Sequence, residues 1–72
     1  MSNDERAKLR TLLYYWIEHN QEHTREFKEW AGRAQGFGEA EASRSMLEAA
    51  QEMDKAGEIL SQVLRRLEGK GP

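Results

Sequence analysis

The chain has 72 residues, no cysteine, 33% charged and 38% hydrophobic side chains, and a formal net charge of −2. That length bounds it to one domain with a small core, and the lack of cysteine excludes disulfides and thiolate metal sites. The slightly acidic balance argues against a dedicated nucleic-acid binder, and the helix-rich composition argues against disorder.

Read from the start, M-S-N-D-E-R is polar and acidic, unlike a secretory signal. The longest apolar run, Leu12 to Ile17, is far too short to cross a membrane. A cytoplasmic location is therefore the expectation. Ser2 followed by Glu5 has the form of a capping box. From there a helical pattern runs without an internal proline over about residues 3–34. Its apolar row is Leu9, Leu13, Trp16, Asn20, His23, Phe27, Trp30 and Ala34, in alternating steps of four and three. Gly32, Gly36 and Gly38 then cluster, and a turn is expected over about residues 35–38 with Gly36 as the left-handed cap. A second helix is expected over about residues 39–68, on the row Ala42, Met46, Ala49, Met53, Ala56, Leu60, Val63 and Leu67.

A short turn makes the two helices antiparallel neighbours, so the expected fold is an all-α helical hairpin, one domain over residues 1–72. Folding about the turn pairs positions whose numbers sum to roughly 73, which sets Trp16 against Gly57, Phe27 against Met46 and Leu13 against Leu60. Tyr14, Tyr15, Ile17, Ile59 and Leu64 cannot all enter one two-helix seam. The expected remedy is a homodimer, two hairpins forming a four-helix bundle.

One constellation carries chemistry. In W-I-E-H-N-Q-E-H-T-R-E-F, His19 and His23 stand one helical turn apart on one face, with Glu22 and Glu26 beside them and Asp54 expected roughly opposite on helix 2. Two imidazoles at that spacing can chelate zinc, nickel, cobalt or iron, and carboxylates can complete the shell or orient the rings. These five residues are the candidate metal ligands. A dimer axis near the middle of the first helix would bring four histidines together. Binding would weaken as pH falls through about 6.5, because protonated imidazole does not ligate.

Other readings of the same residues stay open. Asn20 and His23 could serve only to fix register or oligomeric state, as polar residues do in coiled-coil seams. His19 and the glutamates could be an ordinary solvated face. The stronger motif H-E-x-x-H is absent, since Asn20 stands where its glutamate would be. No phosphate-binding loop or nucleophile elbow is present, and a two-helix chain offers no evident deep pocket, so the protein is expected not to be an enzyme. The competing non-metal function is a docking module that meets a larger protein through Tyr14, Tyr15 and Trp30.

The run Y-W-I-E-H-N-Q-E-H-T-R-E-F-K-E-W-A, then a glycine turn and S-M-L-E-A-A-Q-E-M-D-K-A, resembles a group of small bacterial and archaeal helical hairpins with the core W-I-E-H-N-x-x-H, an aromatic residue and W-A. The resemblance spans about Leu12 to Leu64. It rests on Trp16, Glu18, His19, Asn20, His23, Phe27 and Trp30, and Gly32 departs from it where a helix former is more usual. It implies the hairpin fold and a link to metal uptake or metallocentre assembly, with no defined activity.

Overall fold

The computed structural model describes residues 2–69, with side chains from residue 4 onward. Two helices make up the fold: α1 spans Ser2–Gly36 and α2 spans Ala40–Glu68. They pack side by side as an antiparallel hairpin, in a rod of 54 × 18 × 12 Å. Both helices begin and end within two residues of the expected positions. The Ser2 cap lies outside the described side chains.

The turn works through Gly38 rather than Gly36. Gly36 is the last residue of α1, and Gly38 has a φ of +92°. The Glu39 amide donates to the Ala34 carbonyl at 2.8 Å and the Gly38 amide to the Gln35 carbonyl at 3.2 Å. Those two bonds form a Schellman motif, which satisfies the last carbonyls of α1 and reverses the chain. A side chain at Gly38 would meet no neighbour, so the cost of adding one is conformational only. Gly38→Ala is therefore expected to destabilise the hairpin by about 1–2 kcal/mol. A thermal melt followed by circular dichroism should show a lower midpoint, and an unchanged midpoint would mean that the turn does not need the left-handed conformation.

The seam between the helices is heptad-spaced, but it is not the row of largest apolar residues. On α1 the seam positions, all buried or half-buried, are Arg10, Leu13, Ile17, Asn20, Thr24, Phe27, Ala31 and Ala34. On α2 the seam positions are Ser43, Met46, Ala50, Met53, Gly57, Leu60, Leu64 and Leu67, with Ser61 half-buried beside them. Half of the residues expected in the seam are there. Leu9, Trp16, Trp30, Ala42, Ala49, Ala56 and Val63 are exposed instead, and His23 is half-buried at the seam's flank. The fully enclosed core is small: Leu13, Ala31, Ala34, Ala50 and Leu64, joined by Thr24 and Ser43. Small side chains on both helices let the backbones approach closely.

The register is also about one helical turn from the expected one. Gly57 faces Asn20, not Trp16: a β-carbon built on Gly57 would lie 3.0 Å from the Asn20 amide nitrogen. That nitrogen donates to the Met53 carbonyl at 2.8 Å, across the seam. The Thr24 hydroxyl donates to the Asn20 carbonyl, also at 2.8 Å, so the buried hydroxyl is satisfied. Moving one heptad either way from Asn20 and Gly57 sets Phe27 level with Ala50 and Leu13 level with Leu64. The polar layer is therefore Asn20 with Thr24. The missing methyl of Gly57 gives the Asn20 amide its room.

Two cross-helix contacts fix which edge of the seam is which. Lys28 meets Asp54 at 3.5 Å, and the Tyr14 hydroxyl donates to the Glu68 carboxylate near the open end. Donation to Glu68 holds the Tyr14 phenol above its ordinary pKa. These pairs make one edge polar. Residues seven apart on the other edge are Leu9, Trp16, His23 and Trp30 on α1, and Ala42, Ala49, Ala56 and Val63 on α2. Among the described residues, no helix is long and apolar enough to cross a membrane.

Candidate metal centre

The uninterrupted helix of α1 places His19 and His23 one turn apart, on the outer side of the apolar edge. Rings follow one another at four-residue steps along a diagonal from the surface toward the seam. Exposed Tyr15 stacks on His19, with centroids 5.4 Å apart and planes 14° from parallel. His19 and His23 meet edge to face at 4.5 Å and 89°, and His23 contacts half-buried Phe27 at 6.3 Å. The imidazoles are thus braced from both ends but remain open to solvent.

Their nitrogens are sorted by partner. The two Nε2 atoms lie 3.0 Å apart. The Nδ1 atoms point away from each other, His23 Nδ1 lying 3.3 Å from the Glu26 carboxylate and His19 Nδ1 4.0 Å from that of Glu22. The shorter contact assigns the His23 proton to Nδ1, leaving its Nε2 lone pair free to accept from His19 Nε2–H. A proton is shared where both Nε2 atoms converge. A metal ion suits the same place. With metal–nitrogen distances of about 2.0–2.1 Å, a 3.0 Å separation subtends roughly 95° at the ion, close to the right angle of octahedral or square-planar coordination. A small rotation of either ring opens it toward the tetrahedral angle.

Glu22 and Glu26 accordingly stand behind the imidazoles, on the Nδ1 side. Glu26 is close enough to His23 Nδ1 to hold its tautomer and raise the basicity of its Nε2, whereas Glu22 stands 4.0 Å from His19 Nδ1, beyond hydrogen-bond distance. Asp54 is not opposite His19. The pairing of positions fixes only the level along the hairpin, and Asp54 stands on the polar edge, across the seam from the histidines, where it pairs with Lys28. Among the described residues, no group of three or more histidines, cysteines or carboxylates is placed to hold a metal ion. One chain therefore offers two converging nitrogens and one supporting glutamate, Glu26.

The sequence reading missed the use of Tyr15 as a brace on His19, although the four-residue step between them signals it. It also missed Arg33, whose guanidinium lies 4.6 Å from the Trp30 ring centroid and covers part of an otherwise open indole.

The fold and the histidine pair define a class, a helical hairpin with an open imidazole pair on an apolar edge. Residues 9–67 match the family described as "Domain of unknown function (DUF8180)", and the chain belongs to that family. No curated protein and no solved structure matches it.

Proposed function

We propose that this protein is a non-enzymatic metal-binding hairpin that chelates a divalent transition metal between His19 and His23. The observation that carries the reading is the convergence of the two Nε2 atoms at 3.0 Å, with a glutamate on the Nδ1 side of each ring. Zinc, nickel, cobalt and iron are the ions whose chemistry suits two neutral imidazoles. The non-enzymatic part rests on the site's openness: the hollow beside His19 is a surface furrow lined by Tyr15, Glu18 and Glu22. Nothing there holds a substrate's reacting atoms away from water.

Calorimetric titration with zinc, nickel and cobalt tests this directly. The parent should bind, and His23→Ala or His19→Ala should weaken binding by well over about tenfold, the lower end of what even a supporting carboxylate contributes. Glu26→Gln should weaken it by about 10–100-fold while leaving the hairpin folded. Equal, weak binding by the parent and His23→Ala would leave His23 as a flank residue with no ligand role.

A second reading has its own observation. Trp30 is 49% exposed and Tyr15 58% exposed, side chains that suit a docking contact with a larger protein. In that reading the Asn20 layer only sets register, and the histidines are bystanders. Tyr14 contributes less to it than the sequence implies, because its hydroxyl is already tied to Glu68. Docking through aromatics should be indifferent to chelators.

A further inference from the structure

The two imidazoles of one chain leave a metal ion with at least two open positions, and they sit along the apolar edge of the hairpin. On α1 that face carries Leu9, Leu12, Trp16 and Trp30, on both sides of His19 and His23 along the helix. On α2 it carries Ile59 and Val63 beside the alanine row Ala42, Ala49 and Ala56. Trp16 is 43% exposed and Ile59 59% exposed. The opposite edge is polar, with Lys28 bonded to Asp54 and Tyr14 to Glu68.

The area points to a partner of similar size. The chain exposes 5620 Å². A compact monomer of 8.4 kDa should expose roughly 4,600 Å². The excess, on the order of 1,000 Å², is about what each partner contributes to a standard stable interface, roughly 800 Å².

We infer that a second copy of this chain covers the face and completes the metal site, so that one ion is held by His19 and His23 of each of two hairpins. The inference rests on the metal reading given above. A two-fold axis at the level of residues 19–23 runs the two α1 helices antiparallel across each other. His19 then lies against the partner's His23, and Leu12 against the partner's Trp30. Four imidazole nitrogens satisfy a tetrahedral ion outright, or the equatorial plane of an octahedral one. Burial behind the tryptophans screens the ion from water, and Glu22 and Glu26 stay on the Nδ1 side to offset its charge. The contact is isologous, with the same patch on both subunits.

The test combines mass with stoichiometry on the full chain. Light scattering gives the mass, and equilibrium dialysis against zinc or nickel gives the ratio of ion to chain. The inference expects twice the 8.4 kDa chain mass and one ion per two chains. Ile59 is far from the core, so Ile59→Arg should leave the hairpin folded by circular dichroism. It should halve the mass and weaken metal binding more than about tenfold, since each ion loses half of its nitrogens. A monomer that binds one ion per chain would overturn the shared site and leave the single-chain metal reading standing. A dimer that binds no ion would overturn the metal reading and the shared site together. A dimer unmoved by Ile59→Arg would overturn the choice of face.

Discussion

Leu13→Ala is expected to cost the hairpin about 2–4 kcal/mol, the lower part of the range for a buried leucine truncated to alanine. Leu13 is 2% exposed and is the largest side chain enclosed to that degree. Its layer has few atoms to spare, because three of the five buried hydrophobic residues are alanines. A domain of this size is stable by only several kcal/mol, so one such cavity removes a large fraction of the total. The lower part of the range applies because a two-helix seam is open at its edges and can partly collapse onto the space. Urea titration followed at 222 nm, at one fixed protein concentration, measures the loss. A change below about 1 kcal/mol would mean that Leu13 is not the anchor of the open half of the hairpin.

Gly57→Leu has the second large effect, and its rescue distinguishes two registers. A leucine at Gly57 would press on the Asn20 amide, which has only 3.0 Å to a β-carbon. The expected cost is about 1–3 kcal/mol of overpacking, plus the loss of the Asn20–Met53 hydrogen bond. Asn20→Ala should restore much of the stability in the double variant, because it removes the obstruction and the unsatisfied amide together. Trp16→Ala should restore none. A double-mutant cycle reads this as an interaction energy between positions 20 and 57. Coupling to Trp16 instead would return the register to the one that the pattern of apolar residues favours.

That contest between registers shows what the sequence could convey. Helix number, polarity of the hairpin and element boundaries were legible, because glycine clustering and heptad spacing are local signals. The choice of row was not. Leu9, Trp16, His23 and Trp30 form a bulkier row than Arg10, Ile17, Thr24 and Ala31, yet the second row is the one in the seam. Hydrophobic periodicity favours the large residues. Packing favours the small ones, because Ala31, Ala50 and Gly57 let two backbones approach. A buried Thr24 costs little once its hydroxyl reaches the Asn20 carbonyl. The bulky row is still apolar for a reason, since it lines the outer face around the histidines. Both rows repeat in sevens, so period alone cannot separate a seam from a flank.

The candidate site divides the same way. The approach of His19 to His23, and of each to a following glutamate, depends only on spacing along one helix, and it was legible. The place of Asp54 depends on how α2 is rotated about its own axis, since residues at one level stand on either edge of the seam, and Asp54 stands on the edge of Lys28.

The turn at Gly38 also bears on how the chain reaches this structure. It joins the helices at one end, so sequence separation between facing residues grows steadily from Ala34 and Ser43 toward Leu13 and Leu64. Closing the layer beside the turn costs little chain entropy, and each closed layer leaves only a short free segment to the next. Assembly can run as a zipper from the closed end to the open end, the low-contact-order case in which folding takes microseconds to milliseconds. The same gradient runs in reverse on opening. Fraying begins at the termini, near the Tyr14–Glu68 contact, and must pass several layers before it reaches the histidines. The imidazole pair stands beside the Asn20 and Thr24 layers, midway along the hairpin, so it opens after the outer layers and before those next to the turn.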